Sequence, residues 1–353
     1  MNTLTKAADE AATAGASAPR PTSTPAPTPG RRLLAYLRAR TNLLTFVVLA
    51  TALALLTDGA SLSPESIKNL AVAESVRALA ALGVGMIIIT RGIDLSIGAV
   101  VCLVSSVAAS FAQNSDYAAA LYPGVVFPLW LPVLAGVLTG AAFGLLNGLL
   151  VALARIPPFI ATLGTMSVAF GCQLIYTRAN VVGSLTDAYK EIGQGALFGV
   201  PHLALFALLA AAAVYLMLAH TRQGASLYAI GGNPAAARVS GINVKRELVL
   251  VYLYAGVLYG IAGVLLSSRL GLANALTGRG MELDAIAAVT IGSVSQSGGI
   301  GTAGGMVLGV LTLGIINYGM TFLGVDSYFQ LVIKGGIIIV AVYFDMKKTA
   351  SGE

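Results

Sequence analysis

Charge is what this chain has least of. Asp, Glu, Lys and Arg make up 10% of its 353 residues, and hydrophobic types make up 57%. A soluble globular domain carries about 25% charged residues, so a water-facing surface of this size could not be covered. The mean hydropathy of +0.84 agrees. The composition excludes a soluble enzyme of one or two domains and points to a polytopic membrane protein. Reactive side chains are also rare. There are two histidines, His202 and His220, and two cysteines, Cys102 and Cys172. Zinc sites usually need three or four ligands, so no metal site is expected, and no nucleophile–base constellation suggests a catalytic residue. The cysteines lie in apolar stretches without CxxC spacing and read as small buried side chains. Trp130 stands alone near a membrane interface, where an amphipathic ring belongs. No GxxxxGK[ST] loop occurs, so the chain does not hydrolyse ATP by that route.

What is present is long uncharged runs. A bilayer core takes about 20 helical residues. The runs predict spans at 41–57, 75–90, 95–115, 131–153, 159–177, 203–219 and 248–268, two within 285–325 turning at Gly298–Gly305, and a last one at 328–344. The expected fold class is therefore all-α with about ten transmembrane helices. Residues 64–74 and 282–297 stay open as full spans or re-entrant pieces. Residues 1–30 hold five of the thirteen prolines and read as a disordered tail. Arg31, Arg32, Arg38 and Arg40, interleaved with Leu33, Leu34, Tyr36 and Leu37, read as a basic amphipathic helix on the cytoplasmic leaflet. The expected division is 1–41 tail and basic helix, 42–346 membrane domain and 347–353 a short cytoplasmic tail.

The net charge of +6 comes from basic residues at the ends of apolar runs, the pattern that encodes membrane orientation rather than nucleic-acid binding. With the N-terminus inside and ten spans alternating, the inner side holds Arg31, Arg32, Arg38, Arg40, Arg91, Arg155, Arg222, Arg238, Lys245, Arg246, Lys347 and Lys348, against Lys68, Arg77, Arg178, Lys190, Arg269 and Arg279 outside. Both termini are then cytoplasmic. Glycine recurs every fourth residue at Gly136, Gly140, Gly144 and Gly148, and again at Gly301, Gly305 and Gly309. Small residues at that spacing let membrane helices approach closely. A glycine face lining a solute path is the alternative. Residues 299–304 satisfy GxGxxG, but that fingerprint needs a preceding strand and a soluble βαβ unit, and here it sits between membrane helices.

The informative polar stretch is the loop from His220 to Glu247. Asn233 can cap a helix with Pro234 at its first position. Ala235, Ala236, Ala237 and Arg238 extend it, and Gly241 stops it. A two-turn helix between spans six and seven follows, either an ordinary capped loop helix or one that docks into a partner. Asp94 and Ser96 can cap the third span. Asn147 and Asn317 either hydrogen-bond between helices or line a path. Lys334 is the one basic residue inside a span, and Glu282 or Asp284 is its expected ion-pair partner, because intramembrane charges usually face a partner or a cavity.

Four motifs in order give a family resemblance: Gly-Gly-Asn-x-x-Ala-Ala-Arg-x-Ser-Gly-Ile at 231–242, Gly-Ile-Asp-Leu-Ser-Ile-Gly at 92–98, Glu-Leu-Asp-Ala-Ile-Ala-Ala at 282–288 with Ser-Gly-Gly-Ile-Gly-Thr at 297–302, and Ile-Asn-Tyr-Gly at 316–319 with Gln-Leu-Val-Ile-Lys-Gly at 330–335. Over residues 42–348 the chain resembles the permease subunits of bacterial ATP-driven (ABC) sugar importers of the ribose, galactose and xylose type. The last two motifs look most like the galactose and methyl-galactoside branch. The resemblance implies a non-enzymatic inner-membrane permease that pairs with a second copy of itself, with a cytoplasmic ATPase carrying ATP and Mg, and with a periplasmic sugar-binding protein. The chain itself binds no cofactor. It implies that Gly232, Asn233, Ala236, Ala237, Arg238, Gly241 and Ile242 form the coupling helix. Arg238 pairs there with an acidic ATPase residue, or alternatively with lipid phosphate. Asp94, Ser96, Asn147, Glu282, Asp284, Asn317 and Lys334 are the candidates for the translocation path or its gate. Alternatives are uptake of ribose, xylose, galactofuranose or branched-chain amino acids by the same fold, and an ion-driven secondary transporter.

Overall fold

A computed structural model describes residues 41–350. The tail and basic helix expected at 1–40 lie outside the described residues. The elements are α1 (Thr41–Leu56), α2 (Pro64–Ile89), α3 (Ile97–Phe111), α4 (Trp130–Ala152), α5 (Pro158–Thr177), α6 (Asp187–Gln194), a two-stranded hairpin of β1 (Ala196–Leu197) and β2 (Val200–Pro201), α7 (His202–His220), α8 (Arg222–Gly232), α9 (Pro234–Val239), α10 (Val244–Leu270), α11 (Met281–Ile291), α12 (Ala303–Phe322) and α13 (Ser327–Ala350).

The molecule is a multi-pass helical membrane protein. Six of these helices, α2, α4, α5, α7, α10 and α12, are long and apolar enough to cross a bilayer. Apolar segments of α1, α3 and α13 are shorter. Each of the ten expected spans overlaps a helix, but the number of ten crossings is not reached by length alone. The 11-residue α11 rises only about 16 Å, roughly half of a hydrocarbon core. Residues 64–74 are neither a span nor a re-entrant piece. They are the first turns of α2, which Ser63 caps by accepting from the Ser66 amide while Pro64 takes the first position. The sequence places the start at residue 75 because Glu65, Lys68 and Glu74 interrupt the uncharged run before it.

Helix α2 is the most enclosed of the long helices and α7 the least. The glycine spacing does the packing expected of it. A side chain at Gly140 would meet the Gly256 carbonyl at 2.4 Å and the Gly260 backbone at 2.6 Å, and one at Gly144 would meet the Tyr252 carbonyl at 2.4 Å. So α4 and α10 touch backbone to backbone. Gly305 and Gly309 do the same for α12, against Gly292 and Ala288. The two ends of the bundle are distinct. At one end α8 meets the C-terminus of α2, and α9 packs on α8 and α10. At the other, α6 and the hairpin sit with residues 112–114 and 182–186, joined by the Thr186-to-Ala112 and Asn114-to-Ser184 backbone bonds. Of the cysteines, Cys102 is buried as expected, but Cys172 is exposed. It lies on the face of α5 that packs against nothing in this chain.

Candidate functional site

Helix α9 forms as its residues dictate. The Asn233 side chain accepts from the amides of Ala235 and Ala236 at 3.0 and 3.1 Å. Gly241 has a φ of +86°, a left-handed position that suits glycine, and the chain then turns so that the Ile242 amide reaches the Ala237 carbonyl at 3.1 Å. This is a glycine C-terminal stop. Of the residues that the resemblance puts in the coupling helix, Ala237 turns inward. Ala237 is buried, packing with Ile230 and Val244 against Ile242 and Leu248, so it anchors α9 to its own chain. Ala235, Ala236 and Arg238 are exposed, and Val239, which sequence reasoning passed over, is 90% exposed. A valine held out at a loop tip is the apolar knob of this face.

The base of the loop is clasped to two other segments. Arg91 donates from Nε to the Gly231 carbonyl at 2.6 Å and from a terminal nitrogen to the Gly232 carbonyl at 2.7 Å. It thereby satisfies the last carbonyls of α8 with a cation. The Gly299 amide donates to the Ile89 carbonyl at 2.8 Å, and the Tyr228 hydroxyl donates to the Gly301 carbonyl at 2.7 Å. Gly231 sits so close that a side chain there would lie 1.8 Å from the Ile89 carbonyl oxygen. The GxGxxG stretch therefore has a packing role. The element directly before it is the helix α11, not a strand, and Gly298 and Gly299 lie against the backbone of α8 and the end of α2. Arg91 was legible in the sequence only as an inner-side charge, because a partner 140 residues away leaves no local signal.

Asp94, Ser96 and Asn147 come together with Thr165. Asp94 Oδ1 accepts from the Ser96 amide at 2.8 Å and from its hydroxyl at 2.6 Å. Asn147 donates to Ser96 Oγ at 2.9 Å, and Thr165 donates to Asn147 Oδ1 at 2.6 Å. Tyr252 donates to the Ile93 carbonyl at 3.1 Å. The break between α2 and α3 is thus tied to α4, α5 and α10. All four interacting side chains are buried. Asp94 was expected to cap the first helical amides of α3, but its Oδ1 holds Ser96 in the turn just before the helix while Oδ2 accepts no hydrogen bond among the described residues.

Lys334 on α13 faces Asp284 on α11 at 3.3 Å, and Arg77 on α2 approaches the same carboxylate at 3.5 Å while pairing with Glu74 one turn earlier. Two acids and two bases balance across three helices. Arg77 is therefore part of this cluster and does not serve as a free outer-side charge. Glu282 takes no part in it. It turns to Gly98, where an added Cβ would lie 2.3 Å from its carboxylate, and it lines a cavity between α3 and α5. Asn317 is buried, with no described partner for either amide atom. It lies apart from the Asn147 group. Among the described residues no group of three or more His, Cys, Asp or Glu side chains is placed to hold a metal ion.

The fold is a glycine-packed helical membrane domain with a capped loop helix clasped to its core. The family model described as branched-chain amino acid transport system / permease component matches residues 66–342, and the chain belongs to that family. It is a multi-pass permease and not an enzyme. It is 40% identical to the galactose/methyl galactoside import permease protein of Salmonella typhimurium over 315 residues, 86% of this chain and 94% of the relative. It is 41% identical to the ribose import permease protein of Bacillus subtilis over 82% of this chain and 87% of the relative. It is 37% identical to the D-allose transport system permease protein of Escherichia coli over 85% and 90%. The resemblance to ABC sugar permeases expected from the four motifs holds. No solved structure matches the chain.

Proposed function

We propose that this chain is the permease of an ATP-driven importer that carries a monosaccharide, galactose or a methyl-galactoside, across the bacterial inner membrane. The end bearing α8 and α9 faces the cytoplasm, and α6 with the hairpin faces outward. Similarity to the galactose/methyl galactoside permeases supports that sugar. The ribose and allose permeases, at nearly the same identity, make another sugar the second reading.

The observation that carries the mechanism is α9, a rigidly capped helix whose exposed side offers Ala236, Arg238 and Val239 while Gly231 and Gly232 are fixed to the membrane core. An ATPase subunit, holding ATP and Mg, docks on that face. Val239 fills an apolar recess and Arg238 pairs with an acidic residue. ATP-driven closure moves α9, and the Arg91 clasp passes the displacement to the α2–α3 break and to the turn before α12. From the break it enters the Asp94–Ser96–Asn147–Thr165 network, which spans the helices around the path. The Lys334–Asp284–Arg77 cluster holds α2, α11 and α13 in register, and Asn317 lies beside the path. A periplasmic binding protein selects the sugar, and a second copy of this chain completes the membrane unit.

The test is reconstitution of this chain with its ATPase and binding protein in proteoliposomes. Uptake that needs internal ATP and prefers galactose over ribose supports the reading. Uptake driven by a proton or sodium gradient without the ATPase contradicts it.

A further inference from the structure

Two of the non-helical stretches adjoin α3: residues 90–96, which lead into it, and residues 271–280 between α10 and α11, which run along it. Irregular backbone at membrane depth is tolerated where protein buries it or where it lines a water-filled cavity. The first stretch is buried around Asp94 and Ser96. The second is different. It descends along α3: Ala273 bridges to Val182 at the α6 end, the Asn274 carbonyl accepts from Cys102, and Gly278 packs on the Gly98 carbonyl and Val101. Cys102 and Gly98 are about one turn apart, so the strand of backbone drops about 6 Å. It turns at Gly278 and Gly280, with φ of +81° and +82°, and α11 begins at its foot.

The N-termini of two short helices, α3 and α11, therefore meet beside a cavity of about 380 Å³ lined by Gly98, Cys102, Ser167, Phe170, Arg279 and Glu282. That volume lies within the range of small-molecule sites, roughly 300–1,000 Å³. Half-helix N-termini at mid-membrane are where transporters of other folds bind their solutes. The chemistry is also suited to a sugar. A pyranose has an apolar C–H face and a rim of hydroxyls that both donate and accept. Phe170 can cover the face, the Glu282 carboxylate accepts, Arg279 donates, and the Ser167 hydroxyl, which itself donates to the Leu163 carbonyl at 3.3 Å, accepts. One aromatic ring and a largely apolar wall make a weak grip, which suits a station the solute must leave.

We propose that this cavity is the mid-membrane station of the transported monosaccharide, with Phe170 and Glu282 as its sugar-contacting residues. The proposal rests on the sugar-permease reading above. The test uses this chain with its ATPase and sugar-loaded binding protein in proteoliposomes, measuring galactose uptake, ribose uptake and ATP hydrolysis side by side. Wild-type uptake is the first arm, and if neither sugar enters, the permease reading itself fails. Given wild-type uptake, Ser167→Trp is expected to cut transport about tenfold while ATP hydrolysis continues, and Phe170→Ala to change the galactose-to-ribose uptake ratio by about tenfold, the scale of one pocket contact. Ile175→Ala, on the exposed side of α5 and outside the cavity lining, is expected to change neither. Wild-type transport by Ser167→Trp overturns the proposal. An equal loss of both sugars in Phe170→Ala, with the ratio unchanged, also overturns it. If Ser167→Trp loses ATP hydrolysis as well, the Phe170→Ala ratio alone decides.

Discussion

Gly231 and Gly232 are neighbours in one helix and should respond to the same substitution with opposite signs. A Cβ at Gly231 would lie 1.8 Å from the Ile89 carbonyl oxygen and 2.4 Å from the Gly299 amide nitrogen. Both are backbone atoms, so no side chain can swing away. Accommodating a methyl there means prising α8 off α2 and the Gly299 turn. Overpacking a tight site costs about 1–3 kcal/mol. Losing the 2.8 Å Gly299–Ile89 hydrogen bond adds about 1 kcal/mol. Gly231→Ala should therefore destabilise by about 2–4 kcal/mol. At Gly232 a Cβ meets nothing within 4 Å, and Ala is a better helix former than Gly by about 1 kcal/mol, so Gly232→Ala should be neutral or slightly stabilising. Thermal unfolding of the detergent-solubilised protein measures both, and ATP-dependent uptake reports whether the clasp transmits. Equal melting temperatures and equal uptake for the two variants would refute the clasp.

Other expectations follow from the same geometry. Arg91→Lys cannot span the Gly231 and Gly232 carbonyls with its single ammonium as the guanidinium does; sugar-stimulated ATP hydrolysis should fall relative to the basal rate while the protein stays inserted, and unchanged stimulation would argue against transmission through Arg91. Asn233→Ala removes the cap of α9 at a cost of about 1 kcal/mol, read as faster amide exchange at Ala235 and Ala236; unchanged exchange would mean that the cap does not hold the helix. Asp284→Ala strips the acid that faces both Arg77 and Lys334 and should lower the melting temperature more than Lys334→Met, because unpairing partly buried charges is the costlier change; the reverse order would argue against Asp284 as the hub. Gly140→Leu should abolish α4–α10 packing and yield little folded protein, whereas Gly164→Leu, where a Cβ meets nothing within 4 Å, should fold; equal yields would contradict the glycine contact.

The parts that were legible in the sequence rest on periodicity. The four-residue glycine spacing of 136–148 announces the α4–α10 contact because close approach leaves no room for any other residue. Asn233, Pro234 and Gly241 mark the limits of α9 because capping is local chemistry. What escaped detection is long-range. Nothing near Arg91 signals that its partners are Gly231 and Gly232, and Arg77 looks like an outer charge until Asp284 is brought beside it by the fold. Charge scarcity correctly gave Lys334 an acidic neighbour, but it could not choose between Glu282 and Asp284, which differ in helix face. That Ala237 is the alanine that turns inward has no signal in the sequence, because a run of three alanines has no polarity to mark it.

The central claim is that ATP-driven movement enters this permease through the exposed face of α9. Its most direct test is Arg238→Glu, in the complete transporter in proteoliposomes, with sugar uptake and ATP hydrolysis measured in the same vesicles. The expected result is an inserted, stable protein in which sugar uptake is lost and ATP hydrolysis no longer responds to the sugar-loaded binding protein. Normal sugar-stimulated hydrolysis with normal uptake would contradict it.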